Sequence, residues 1–196
     1  LKLKLDIIVE KPVIYNTYQF NKLKNQIKKF DNNFYINHSD LYNQNFRNLF
    51  KNQKNKKIKK IIFHYGNNKN IYNGSNNDGP TLDWLPHILS VIIFFLKNID
   101  SFKIDSFSRI VKKGLIYEKS IFYFFFKKII AKVYFSNFPK MNLRTFRLYY
   151  DDGHINFDSY NNKNYILHKK KKIMYNFNQV KTFDNLINIA LKNINK

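Results

Sequence analysis

The chain has 196 residues, 44% hydrophobic and 18% aromatic, which is ample for a packed core and excludes an intrinsically disordered chain. It has no cysteine, so disulfides and thiolate metal sites are excluded, and its longest apolar run, Ile88–Leu96, falls short of the ~20 residues a bilayer span needs. The 35 basic and 13 acidic residues give a net charge of +22, which raises nucleic acid or an anionic membrane as partners, yet lysine is high together with Asn, Ile, Phe and Tyr, all residues of AT-rich codons. Genome base bias is the simpler source of the charge, and neither partner is expected.

Leu3–Val9 is apolar, β-branched and stopped by Pro12, which reads as a strand. Tyr18–Phe30 reads as a helix, because Phe20, Leu23, Ile27 and Phe30 recur at helical spacing with lysines on the other face. Asn32-Asn33 is a turn and Phe34–Asn37 a second strand, so the segment predicts a βαβ unit with a right-handed crossover. A short helix over Asn43–Phe50, a solvated basic stretch at Lys51–Lys60 and a strand at Ile61–Tyr65 follow. Asn67–Gly79 is rich in Asn and Gly and reads as a loop. The next helix runs to about Leu96, capped by Asp83 or Thr81, with Pro86 in a first turn whose amides have no helical partner anyway.

From Ile104 onward the pattern is of strands: Ile104–Val111, Ile116–Phe126, Ile129–Phe135, Leu143–Tyr150 and His154–Asp158, with Asp151-Asp152-Gly153 as a hairpin turn. Tyr165–His168 adds a strand before the run Lys169–Lys172, and the chain closes on a helix over about Thr182–Ile194. The fold class is α/β, α+β in its larger part. Residues 1–42 read as the end of a Rossmann-type parallel unit, and 43–196 as an open, mostly antiparallel sheet with helices on one face. A bare sheet face predicts a homo-oligomer. The chain opens on Leu1 already in strand-like sequence, which suggests that a further part precedes it.

Asp83 and His87 lie four residues apart, where helical side chains share one face, and a carboxylate beside an imidazole is a workable proton-transfer unit near neutral pH. Glu10-Lys11-Pro12 closes the first strand and offers a third candidate group. Each has a plainer reading: Asp83 as a helix N-cap, His87 as a core imidazole, Lys11-Pro12 as a solvated turn. Zinc would need further ligands beside Asp83 and His87, and His64, His154 and His168 show no clustering that supplies them, so no metal is expected.

Ile7-Ile8-Val9-Glu10-Lys11-Pro12 resembles the hydrophobic strand ending in Glu-Lys-Pro of the Gfo/Idh/MocA family of NAD(P)-dependent oxidoreductases. Asn37-His38 followed by Leu41-Tyr42-Asn43 resembles its His-x-x-Leu-Tyr-Asn-Pro segment, with Gln44 where proline is usual. Leu82-Asp83-Trp84-Leu85-Pro86-His87 resembles its Asp-x-x-Pro-His form, Arg144–Asp158 the strand pair late in its second domain, and Phe183–Leu191 its closing helix.

The resemblance implies a cytoplasmic dehydrogenase of sugars or nucleotide sugars in surface-polysaccharide synthesis, using NAD or NADP. Lys11, Asp83 and His87 would then be catalytic: His87 moves the hydroxyl proton, Asp83 orients it, and Lys11 reaches the nicotinamide ribose and substrate hydroxyl. Glu10, Lys11, Pro12 and His38 would face the cofactor, with Pro12 cis, and Tyr42, Asn43 and Asn77 the substrate. The family's glycine-rich pyrophosphate turn has no counterpart, since no G-x-G-x-x-G occurs in the chain. The polypeptide by itself is therefore expected to be inactive. The other reading is a non-catalytic basic binding protein, or a decayed remnant that keeps only an oligomerising sheet.

Overall fold

The computed structural model describes residues 7–10, 17–29, 34–51, 56–66, 79–138, 143–161, 163–175 and 187. Lys11, Pro12 and Asn77 lie outside them, as does the expected closing helix apart from Ile187.

The chain begins with the expected βαβ unit. Strand β1 (Ile7–Val9) and β2 (Phe34–Ile36) are parallel, with Ile7 opposite Phe34 and Val9 opposite Ile36, and helix α1 (Thr17–Ile27) lies between them in sequence. The pairing runs one residue further, as the Asn37 amide donates to the Val9 carbonyl at 2.9 Å. A four-residue helix α2 (Ser39–Tyr42), too short to leave a periodic signal, precedes α3 (Gln44–Lys51). Asn43 separates the two and caps α3, its side-chain oxygen accepting the amides of Asn45 at 2.9 Å and Phe46 at 3.1 Å.

Strand β3 (Lys60–Gly66) and helix α4 (Pro80–Leu96) lead into β4 (Ser101–Lys112), β5 (Leu115–Phe126), β6 (Ile129–Ser136), β7 (Leu143–Tyr150), β8 (Gly153–Asp158), β9 (Asn164–His168) and β10 (Lys171–Tyr175). These strands form one sheet in the order β10-β9-β8-β7-β3-β6-β5-β4, antiparallel except where β3 runs parallel to β6. Lys169–Lys172 is exposed, as its charge suggests, and it also turns a hairpin. Lys169 and Lys170 make a tight turn at φ 45° and 67°, and Lys171 begins β10 opposite His168. Such turns are usually signalled by Asn or Gly, which tolerate positive φ at little cost. Here lysines adopt it, so the hairpin was not legible.

Alternation along the strands separates two faces. On β5, Ile116, Glu118, Ser120, Phe122 and Phe124 are buried, while the residues between them are partly or fully exposed. The buried face of the sheet continues through Ala131, Val133, Phe63, Phe146, Leu148 and Ile155 and is covered by Ile88, Val91, Ile92 and Leu96 of α4 and Phe46, Leu49 and Phe50 of α3. Phe46 meets Phe50, Phe146 and Phe157 at centroid distances of 4.6, 5.8 and 5.5 Å, tilted or edge-on, pairs worth about 0.5–1.5 kcal/mol each beyond their burial.

The opposite face carries Tyr123, Lys132, Tyr134, His64, Arg147 and His154. Tyr134 and His64 stack at 4.8 Å, and Arg147 donates to Asn156 at 2.7 Å. Burial lowers the pKa of His64, helped by Arg147 and Lys132, and burial with Arg147 does the same for His154. Both are therefore more easily protonated in the unfolded chain, where histidine titrates at about 6.5. Their contribution to stability is complete above that value and is lost as pH falls through it toward the lower folded values. Thermal melts should show a falling melting temperature from pH 7.5 to 5.5. The double variant His64→Gln/His154→Gln should have a shallower slope over that window; an unchanged slope would remove these rings as the cause.

Candidate active site

Helix α4 positions the central pair, and its start differs from expectation. The N-cap is Gly79, which has no side chain to accept a free amide, and neither Thr81 nor Asp83 caps the helix. The acceptor arrives from the sheet: the Glu118 carboxylate on β5, 2% exposed, accepts the Thr81 amide at 2.8 Å. Because this group lies against the chain at Gly79, a Cβ there would fall 1.8 Å from the Glu118 Oε1. Glu118 is itself fixed by Asn137, whose side-chain oxygen accepts the Glu118 amide at 2.6 Å, whose amide nitrogen donates to the Ile116 carbonyl at 2.8 Å, and whose backbone N–H reaches the Glu118 carbonyl at 3.1 Å. Arg109 stands 3.7 Å from the carboxylate.

With the cap at Gly79, Pro86 lies inside the helix and not in its first turn, so the missing amide leaves the Leu82 carbonyl out of the helical ladder. The same end of α4 is tied to the sheet by Trp84. The Arg144 guanidinium sits 5.4 Å from the Trp84 ring and 5.5 Å from Tyr65, and those two rings meet edge-on at 5.4 Å.

Asp83 and His87 share a face of α4, one turn apart. Helix α2 packs against α4, and the rings of His38 and His87 meet edge-to-face with centroids 6.2 Å apart, the Nδ1 of each shielded from solvent. Beside His38, Asn37 donates to the Glu10 carboxylate at 2.5 Å. The structure thus gathers Glu10, Asn37 and His38 at the carboxyl ends of β1 and β2 and sets His38 against His87. Tyr42 lies under the Arg47 guanidinium at 5.5 Å, and burial raises its pKa against the opposing pull of Arg47.

The His38–His87 contact and the Glu118 clamp escaped sequence reasoning. Glu118 did leave a signal: it occupies a core-facing position between Ile116 and Ser120 on an alternating strand, where a carboxylate needs a specific partner. Among the described residues no three His, Asp or Glu side chains gather where a metal could bind, and no helix is long and apolar enough to cross a membrane.

No family model and no curated protein matches the sequence. Solved structures do match. A protein described as an oxidoreductase from Magnetospirillum magnetotacticum superposes with TM-score 0.81 at 15% identity, over 97% of this chain and 65% of that one. UDP-N-acetylglucosamine 3-dehydrogenase GnnA from Acidithiobacillus ferrooxidans gives 0.77 at 14% identity over 96% and 63%, and a Gfo/Idh/MocA family oxidoreductase from Vibrio cholerae 0.69 at 14% over 96% and 61%. The fold is that of the Gfo/Idh/MocA oxidoreductases. The chain spans less than two thirds of the length of these structures. Two further matches hold a nicotinamide cofactor, NADP in one and NAD in the other.

The contact between Gly79 and Glu118 makes the start of α4 sensitive to one carbon atom. Gly79→Ala should lower unfolding free energy by roughly 2–3 kcal/mol in chemical denaturation, the range for overpacking at a buried polar contact. A variant as stable as the parent would mean that the helix start yields without cost.

Proposed function

We propose that the chain is the substrate-handling part of an oxidoreductase that moves a hydride between NAD(P) and a secondary alcohol of a sugar or nucleotide sugar. The observation that carries this reading is the His38–His87 contact at 6.2 Å, which joins the carboxyl ends of two parallel strands to the helix bearing Asp83. In open parallel sheets, ligands lie beyond the carboxyl ends of the strands. Glu10 and Asn37-His38 occupy those ends, so the donor set present fits the nicotinamide end of a dinucleotide, while the pyrophosphate turn has no counterpart in the chain.

Bound NAD(P) supplies the hydride acceptor or donor. Of the chain's own residues, Glu10 and His38, with Lys11 and Pro12 by resemblance, border the nicotinamide. Neutral His87 takes the hydroxyl proton as hydride leaves the carbon, and its protonated form returns that proton in the reverse direction. Asp83 orients and steadies the imidazolium, and Lys11 polarises the substrate oxygen. Tyr42 and the amide nitrogen of Asn43 face the sugar, with Asn77 as a further candidate from its place in the sequence; the Asn43 oxygen is already committed to the α3 cap. On this reading residues 1–42 complete a cofactor unit, 43–196 form the substrate unit, and the enzyme works in the cytoplasm on precursors of surface polysaccharide.

The sheet face away from α4 is the surface for a second copy. It presents Ile121, Tyr123 and Ile130, and Lys132 lies 4.9 and 4.5 Å from the rings of Tyr123 and Tyr134, which spread its charge over aromatic faces. Ile121→Asp should reduce the mass seen by light scattering to that of one chain; a mass already single in the parent would remove this part of the reading.

The central test is made on the full-length protein. His87→Ala should lower turnover of nucleotide sugar roughly 10²–10⁴-fold with cofactor dissociation constant unchanged. Equal loss of both would make His87 a structural residue. No NAD(P)-linked turnover in the parent, with salt-sensitive retention on DNA instead, would favour a basic binding protein.

A further inference from the structure

We infer that Glu118 is a positioning residue for the proposed reaction: by setting where α4 begins, it sets the approach of His87 to His38. The inference rests on the oxidoreductase reading for its consequence in catalysis, but its geometric part stands alone. The N-cap Gly79 of α4 makes no side-chain capping bond, and a side-chain acceptor at the helix start comes from β5, 37 residues downstream of Thr81. A side chain crossing from the sheet fixes the helix along its axis as well as satisfying an amide, because Glu118 cannot move: Asn137 holds its backbone on both sides and Ile116 with it.

Two further observations show that the fit at the helix start is tight. Gly79 has no room for a Cβ, with Glu118 Oε1, Cδ and Oε2 at 1.8, 2.5 and 2.8 Å from where it would lie. A shift of the helix toward β5 is blocked by that contact, and a shift away breaks the 2.8 Å bond to Thr81. His87 lies two turns into the same helix, with His38 across from it on a different part of the chain. An axial displacement at Thr81 is therefore carried along the same helix toward His87.

Position and charge are separable by two conservative changes. Glu118→Gln keeps the length and the acceptor oxygen and loses the charge. Glu118→Asp keeps the charge and withdraws the acceptor by one methylene. In the full-length protein, Glu118→Gln should retain turnover and pH profile within about threefold, while Glu118→Asp should lose at least tenfold in kcat, move the pH profile of kcat, and leave cofactor binding unchanged. Nuclear Overhauser contacts between the His38 and His87 ring protons should persist in Glu118→Gln and weaken in Glu118→Asp; this readout needs no activity. Glu118→Asp behaving like the parent in both readouts, or Glu118→Gln being the worse of the two, would overturn the inference in favour of plain capping or a charge effect. If ring contacts follow the expected order while no variant or parent turns over substrate, the positioning stands and the oxidoreductase reading is what fails.

Discussion

The architecture depends on a carboxylate buried where a helix begins. Taking Glu118 out of water costs several kcal/mol unless its surroundings replace that hydration. Three things do so: the Thr81 amide at 2.8 Å, Arg109 at 3.7 Å, and the positive end of the α4 dipole. Asn137 removes the conformational freedom that would let the carboxylate turn toward solvent. With its first turn fixed in this way, α4 lays Ile88, Val91, Ile92 and Leu96 onto the sheet, and the core closes over them. The polar contact contributes direction, and the apolar burial that follows contributes most of the free energy.

The same arrangement explains why the sheet has one finished face. Helices α3 and α4 cover the side bearing Phe63, Phe146 and Val133, and the alternation of the strands sends a different set outward. That outward set is aromatic and cationic and not simply polar: Lys132 between Tyr123 and Tyr134, His64 stacked on Tyr134, Lys172 over Tyr165 at 4.4 Å. Cations resting on rings lose less on desolvation than isolated ammonium groups, so such a face tolerates being covered. Hydrogen bonding to Tyr123 and Tyr134 raises the pKa of Lys132, which therefore keeps its charge.

Much of this was legible in the sequence, and the gaps have physical causes. Long strands such as β5 and β7 and the apolar helix α4 announce themselves by period, and the βαβ start follows from the strand, helix and strand order. The hairpin at Asp151–Gly153 was legible from its Asp-Gly turn signal, and the structure shows why glycine is needed there: a Cβ on Gly153 would fall 1.9 Å from the Leu167 carbonyl oxygen. The β9–β10 hairpin was not, because lysines took the left-handed turn positions. The cap of α4 was misassigned to Thr81 or Asp83 for a deeper reason: local rules look for an acceptor within a few residues, and the acceptor here is supplied from another strand. Asp83 and His87 could be paired by spacing alone, whereas His38 opposite His87 is a contact across 49 positions that no spacing rule contains.

That contact also bears on how the chemistry would be controlled. His38 follows the end of β2 in the small parallel sheet, and His87 lies on a helix anchored on the large one. A ring held edge-on by a neighbour from a separate segment has its orientation set by the docking of the two, and orientation decides whether a nitrogen meets a hydroxyl at hydrogen-bond distance. Asn37 couples the same strand end to Glu10 at 2.5 Å, so the two parallel strand ends are tied to each other beside α4. On the proposed function, proton handling by His87 would then depend on the seating of the strand ends that border the cofactor. With His87 as the base of the proposed reaction, such packing would keep it from acting on substrate before the hydride partner is in place.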